Sequence, residues 1–192
     1  MSEQKQTKKS GTLKKRGVGI YMQNILSRKV QLPFNKVGSN LTENIITSLS
    51  REIDGKCVQE GYIKPNTIRL INYSAGIISG NEVKFTVTFE CLVCRPVEGM
   101  KFKAVVKNIT KAGIRCEAKD VPSPVVVFIA RDHHFKMKEF SQLNIDDDIN
   151  VRVIGIRYEL NDSYISVIAE LVPSRKIRLK RKPVKIIINE KK

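Results

Sequence analysis

Tryptophan is absent, and aromatic residues make up only 6% of the 192-residue chain. Any base-stacking platform must therefore be built from few rings. No apolar run approaches the ~20 residues of a membrane-spanning helix. The first residues are too polar for a secretory signal. Cysteine is scarce as well, with four residues and no secretory context. That usage points to free thiols in a reducing, intracellular compartment rather than to a disulfide scaffold. No phosphate-binding glycine loop, nucleophile–base set or metal motif occurs, so neither catalysis nor a cofactor is expected.

Positive charge is what the chain has in excess. The formal net charge is +16. Residues 1–17 hold six Lys/Arg and one Glu, and residues 174–192 hold nine Lys/Arg and one Glu. The two ends thus carry +13, while residues 18–173 carry only +3. A nearly neutral body with two basic arms suits nucleic acid, an acidic partner or an anionic membrane. The alternative is a pair of solvated, disordered ends. Nucleic acid is the favoured partner, and no membrane role is expected.

Residues 1–17 have no apolar period and are expected to be a disordered arm. Residues 18–32 read as a strand and "PFNKVGSN" as a loop. A helix is expected over 40–54, with Asn40 and Glu43 as a capping pair and Gly55 as the left-handed stop. Its apolar stripe is Leu41, Ile45, Ile46, Leu49 and Ile53. Short strands broken by Gly61, Pro65 and Gly76 follow, and then a turn at Gly80–Asn81. From Val83 to Val93 every second residue is apolar or Cys, which marks a strand with one buried face. Strand, helix and further strands make an α+β domain of residues 18–95.

After Pro96 the alternation restarts. Phe102, Ala104 and Val106 oppose Lys101, Lys103 and Lys107. A turn precedes "GIRCEAKD", a third strand is "VPSPVVVFIA", and "RDHHFKMKEFSQL" is a short helix or ordered loop. A closing hairpin is "DDDINVRVIGIRYEL" and "YISVIAELV". Three strands, an irregular connection and two strands are the order of a five-stranded OB barrel, here over residues 96–173. The tail, 174–192, is basic, with an apolar patch at Val184 and Ile186–Ile188. It is expected to be disordered, or to add as a strand to a partner.

Cys91 and Cys94 have the spacing of half a zinc site. In a strand, however, residues i and i+3 face opposite sides of the sheet, whereas a zinc half-site needs both sulfurs to converge. Core cysteines are the better reading, and the stretch after them is a seam between two units. His133 and His134 are expected at the surface or as base-stacking residues, and three consecutive aspartates, 146–148, as a solvated turn. An OB barrel holds single strands by a basic groove and aromatic platforms. Lys101, Lys103, Lys107, Lys111 and Arg115 are the candidate cations. Phe135, Tyr158 and Tyr164 are the candidate rings. Lysines on the wet side of an exposed strand are the equally weighted alternative.

Several of these stretches together resemble the stalk subunit of archaeal and eukaryotic multisubunit RNA polymerases. They are "VGSNL", "IDGKC" followed by "GYI", "SAGIISGNEVKFTVTFECLVCRPVEG" and "DDDINVRVIGIRYELNDSYISVIAEL", in order over residues 20–172. The resemblance implies a non-catalytic polymerase subunit. Its first domain, the tip, would dock on the polymerase core at the largest subunit and clamp. Matching segments place that contact at Pro33, Phe34, Gly38, Gly61, Tyr62 and Ile63. A smaller helical stalk subunit is the implied partner, and nascent single-stranded RNA the ligand. RNA would be held by the barrel through Lys101, Lys103, Lys107, Lys111, Arg115, His133, His134 and Tyr158. The implied location is the nucleus, or a viral factory or virion. A free-standing OB protein of translation or RNA processing and an OB-containing nuclease are the competing classes. This sequence has Gly113-Ile114-Arg115 where such barrels usually place an aromatic after the second-strand glycine. The two basic arms lie outside the family core, and these departures point to a divergent lineage such as a large DNA virus.

Overall fold

A computed structural model describes residues 19–134 and 137–173 of the chain. The expectations for the two basic ends, and for Phe135, fall outside the described residues. The architecture is an antiparallel sheet carrying one long helix, followed by a closed five-stranded barrel.

Strand β1 (Tyr21–Pro33) leads through a 3-10 turn (Phe34–Lys36) into helix α1 (Leu41–Ile53). Ile45, Leu49 and Ile53 of the predicted stripe are buried against the sheet. Gly55 is left-handed (φ +69°), as a helix stop requires. The expected capping pair does not form. Asn40 has φ −101° and ψ 30°, outside the extended region from which an N-cap side chain reaches back, and it makes no capping bond. Asn44 instead donates Nδ2–H to Lys36 O at 2.9 Å, tying the first helical turn to the 3-10 turn.

Strands β2 (Cys57–Val58), β3 (Gly61–Ile63), β4 (Arg69–Tyr73) and β5 (Ile77–Ser79) are short, and β6 (Glu82–Cys94) is long. β6 is the spine of the sheet. One edge pairs with β1 over all 13 residues, from Tyr21↔Cys94 to Pro33↔Glu82. The other edge takes β3, β4 and β5 in turn. Its alternation follows the predicted parity, with Val83, Phe85, Val87, Phe89, Cys91 and Val93 buried beneath α1. Cys91 and Cys94 do face opposite sides: Cys91 joins the helix-side core, and Cys94 joins the barrel's core.

The barrel comprises β7 (Lys101–Ile109), β8 (Gly113–Ala118), β9 (Val125–Ala130), β10 (Asp148–Arg157) and β11 (Ile165–Val172). The order around it is β10-β11-β9-β8-β7, closed by β7 against β10. β9 and β11 run parallel and the other pairs are antiparallel. This is the OB-type barrel expected from the strand order. A 3-10 turn (Arg131–His133) and a short helix α2 (Lys138–Ser141) fill the connection from β9 to β10.

The sheet and barrel meet along a hydrogen-bonded seam. The Cys57 N–H donates to Asp162 O (2.7 Å), and the Asn161 N–H donates back to Cys57 O (2.8 Å). Tyr21 Oη donates to Pro122 O (2.9 Å), and Tyr158 Oη donates to Gln59 O (3.3 Å). Ile20, Cys57, Tyr62 and Cys94 extend the barrel's core across the joint.

Candidate nucleic-acid interface

The outer faces of β8 and β9, with the loops at one end of the barrel, are where OB folds bind single strands. Alternation on β8 buries Ile114 and Cys116 and turns Arg115 outward. Alternation on β9 buries Val127 and Ile129 and turns Phe128 outward, 40% exposed. Register then sets these side chains in one band. Asn108 pairs with Arg115, Arg115 with Phe128, Phe128 with Ile168, and Ile168 with Gly155. A cation, an aromatic ring and an aliphatic surface thus lie side by side across five strands. Phe128, Ile156, Gly155 and Ile168 line a shallow apolar hollow there.

Gly113 is why the ring can lie where it does. A Cβ at position 113 would stand 2.3 Å from Ile129 O and 2.9 Å from Cζ of Phe128. The aromatic that the sequence lacks after this glycine is supplied instead by the neighbouring strand. Phe128 was not a candidate in the sequence because its run, residues 124–130, is apolar throughout and hides its outward parity.

The adjoining loop is held rigid. Arg131 donates Nε–H to Lys111 O (2.9 Å) and Nη2–H to Thr110 O (3.1 Å), and its guanidinium lies 5.5 Å from the centre of the Phe140 ring. Lys111 is exposed at the loop's tip, and His133 is exposed in the following 3-10 turn. Lys107 is at the β7 bulge next to Asn108 and lies 3.7 Å from Asp146.

The predicted RNA-binding set is therefore divided. Lys107, Lys111, Arg115 and His133 sit at the Phe128 end of the barrel. Lys101 and Lys103 lie towards the other end of β7, about 20 Å and about 13 Å from Lys107 along the strand at ~3.3 Å per residue. They line a different groove, with Lys119, Asn150 and the chain's own Gly19, Ile20 and Val172.

One member of the set is buried, and another is part-buried at the seam. His134 is 2% exposed. Its Nε2 accepts the Leu171 N–H (2.9 Å), which leaves Nδ1–H to donate to Ala130 O (2.8 Å). The ring stacks on Phe140 with centroids 5.3 Å apart. Its expected surface position is corrected: burial and two backbone bonds make it a fastener of the barrel. Tyr158 packs against the barrel's core, with its hydroxyl committed to Gln59 at the seam. Tyr164 remains exposed.

The expected polymerase-contact residues are also separated. Pro33 and Phe34 lie at the far end of the β1–β6 ribbon, where Pro33 pairs with Glu82, and Gly38 follows just before α1. Tyr62 pairs with Cys94 at the opposite end, about 40 Å away over 12 residues. Tyr62 and Ile63 are 5% and 0% exposed, so they build the core rather than a contact loop. Gly61 is buried beside them, where a Cβ would stand 2.4 Å from Cys94 O. The far end instead exposes Phe34 (48%), Ile77 (69%) and Ile78 (70%). Ile78 pairs with Val83 and Val83 with Leu32, which sets β5 across β6 from the end of β1 that leads into the Phe34 turn. The pair Ile77–Ile78 between Gly76 and Gly80 was a visible signal for this.

Among the described residues no cluster of three or more His, Cys, Asp or Glu has metal-binding geometry, and no helix is long and apolar enough to cross a membrane.

No family model matches the chain. A protein of Acanthamoeba polyphaga mimivirus, assigned as a DNA-directed RNA polymerase subunit, is 30% identical over 168 residues, covering 80% of this chain and 82% of that protein. DNA-directed RNA polymerase II subunit RPB7 of Glycine max is 26% identical, covering 73% of this chain and 86% of its own. Subunit 7 of the same enzyme from Arabidopsis thaliana is 26% identical, covering 70% and 84%. Among solved structures, an uncharacterized protein of Methanocaldococcus jannaschii aligns with 42% of this chain at a TM-score of 0.33 and 21% identity. With the sheet-and-helix unit, the OB-type barrel and most of both chains aligned at this level, the chain belongs to the RPB7-type family of DNA-directed RNA polymerase subunits.

Proposed function

We propose that this chain is a non-catalytic subunit of a DNA-directed RNA polymerase that holds nascent single-stranded RNA on the β8–β9 face of its barrel. In this reading residues 18–95 form the docking unit and residues 96–173 the RNA-binding unit. The far end of the first sheet, with Phe34, Ile77 and Ile78, seats on the polymerase core near the clamp of the largest subunit. The observation that carries the reading is the band in which Arg115 and Phe128 are register neighbours. Single-stranded RNA presents unstacked bases and a phosphate backbone. A half-exposed ring takes a base, and the adjacent guanidinium and the loop lysine take phosphates.

The test is binding of an unstructured RNA by the full chain and by Phe128→Ala and Phe128→Leu variants. Base stacking on a ring is worth about 1–3 kcal/mol, so Phe128→Ala is expected to weaken binding roughly fivefold to a hundredfold. Phe128→Leu keeps apolar area without a π-face and is expected to lose nearly as much. Full affinity in both variants would show that RNA does not use this face.

A further inference from the structure

Gly155 is a strand glycine that the fold itself does not require. At Gly61 and Gly113 a Cβ would stand 2.4 Å and 2.3 Å from a backbone carbonyl oxygen, so those strands can carry nothing larger. Gly155 lies inside β10, its φ is outside the left-handed region, and a Cβ on it would meet no heavy atom of the described residues within 4 Å. The bulge between Val153 and Gly155 contains no left-handed residue, and a bulge without one takes any side chain. A glycine inside a strand forfeits packing and adds chain entropy to be lost. Where neither a turn nor a clash explains it, close approach by a ligand does.

Gly155 lines the apolar hollow beside Phe128, about 310 Å³ in volume. Two cross-strand rows define the surface around it. The first runs Arg115, Phe128, Ile168, Gly155, and the second Glu117, Val126, Ser166, Arg157, each residue paired with the next. The first row supplies the ring, the half-exposed Ile168 and the gap left by the missing side chain. The second supplies the polar side chains of the lining, Ser166 and Arg157, both exposed. Arg157 pairs with Glu159 at 3.4 Å, but the two side chains are 84% and 74% exposed, so water screens the pair and leaves the guanidinium open to exchange.

We propose that this hollow is a second base slot: the single strand that stacks one base on Phe128 crosses β11 and lays another over Gly155, against Ile168. The slot rests on the RNA reading of the Phe128 face, which it extends from β8 and β9 onto β11 and β10. Phe128 and Gly155 are two strand spacings apart, about 10 Å at ~4.8 Å each, so one base does not cover both. A base has two apolar faces and a polar edge. The missing side chain leaves room for a face, and the Ser166 hydroxyl and Arg157 guanidinium meet the edge or the adjoining phosphate. An apolar side chain of a protein would fill the same space but leave both polar groups unanswered. Arg115 on β8 and Arg157 on β10, about 14 Å apart across three strand spacings, then bracket the two bases with the charge their phosphates require.

The experiment measures binding of oligouridine at several salt concentrations, with urea unfolding of each protein as the folding control. The proteins are the full chain, Gly155→Val, Phe128→Ala, the double variant and Arg157→Ala. Gly155→Val fills the hollow with a side chain suited to a strand. It is expected to unfold no earlier than the intact chain, yet to bind roughly fivefold to a hundredfold more weakly, the range for one stacked base. Because the two slots take different bases, the losses in Gly155→Val and Phe128→Ala should multiply in the double variant. Arg157→Ala should flatten the slope of log affinity against log salt by about 0.7, the share of one phosphate on a single strand. If Gly155→Val lowers the unfolding midpoint, Ile168→Ser decides instead: it removes the wall of the slot at a half-exposed position and should weaken binding in the same sense. Full affinity in Gly155→Val and Ile168→Ser with weak binding by Phe128→Ala would overturn the slot and leave the Phe128 reading standing. Weak binding in the first two with full affinity in Phe128→Ala would keep the slot and remove the ring from the path. A double variant no weaker than the worse single would show one shared base, and the separate slot falls. It falls too if Gly155→Val binds oligouridine normally but no longer co-purifies with the polymerase, which would seat a protein side chain in the hollow.

Discussion

Replacing His134 by Phe keeps a planar ring against Phe140 and deletes both ring nitrogens. The Leu171 N–H then loses its acceptor at 2.9 Å, and Ala130 O loses its donor at 2.8 Å. The Leu171 bond is buried, so water cannot readily replace it, while the Ala130 bond is part-buried. An orphaned buried polar group costs about 1–3 kcal/mol. With the stack on Phe140 retained, the loss is expected to be about 2–5 kcal/mol by the same measure. That is a large fraction of the roughly 5–15 kcal/mol that separates a folded domain from its unfolded chain. His134→Ala should cost more, because the stacked ring contact goes too, worth about 0.5–1.5 kcal/mol. Urea unfolding followed by far-ultraviolet circular dichroism reads the effect as a lower midpoint with an unchanged slope. RNA affinity measured well below the transition should stay at the value of the intact chain. A stability change under about 0.5 kcal/mol would refute the fastener role, since a surface side chain costs no more than that. Loss of RNA affinity at full stability would instead return His134 to the binding face.

Four further outcomes are expected. Burial pushes the thiols of Cys57 and Cys91 up to about 11 and those of Cys94 and Cys116 up to about 12, so iodoacetamide at pH 8 should label the chain only after denaturation. Ionisation is easier in the unfolded chain, where the ordinary value is 9.0. The stability these thiols contribute is therefore full below about pH 9 and lost as pH rises towards 11 to 12, and a urea midpoint constant across that window would contradict it. Gly61→Ala should destabilise the chain by more than about 1 kcal/mol, because a Cβ there meets Cys94 O at 2.4 Å and the residue sits at φ +133°; a variant as stable as the parent would show that β3 shifts freely. Phe34→Ser with Ile78→Ser should reduce co-purification with the polymerase while leaving the unfolding midpoint nearly unchanged, whereas wild-type recovery would remove the far end of the sheet from the docking surface.

Much of the fold was legible because period-2 alternation is a local property. In β6 the apolar parity from Val83 to Val93 is clean, and the strand faces as that parity dictates. The same logic separated Cys91 from Cys94. The stripe of α1 was readable for the same reason, while its cap was not, because the ψ of Asn40 depends on how the preceding turn packs. The candidate site was legible only in part. Arg115 and the β7 lysines stood out as charges on alternating strands. Their division between two ends of the barrel depends on the register of β7 against β8 and β10, which pairs residues distant in the chain. Phe128 was hidden in a run without polar partners, so its outward facing emerges only once Val127 and Ile129 point inward. His134, Tyr62 and Tyr158 carry polar groups that suggest a surface, and only the partners Leu171, Cys94 and Gln59 show why they lie inside or at the seam.

Strand β6 passes from one core into the other between adjacent residues: Val93 belongs to the helix-side cluster, Cys94 to the barrel's. β3 does the same at Tyr62 and Ile63. A gene fragment beginning at Arg95 would encode all five barrel strands, yet it would lack Ile20, Cys57, Tyr62 and Cys94, which close that barrel's interior. The two halves are therefore poor units of genetic exchange. Recombination that grafted this barrel onto another protein would open a hole in it, whereas point substitution on its outer faces would not. Substitution without loss of either core is thus confined to the outer faces of the strands.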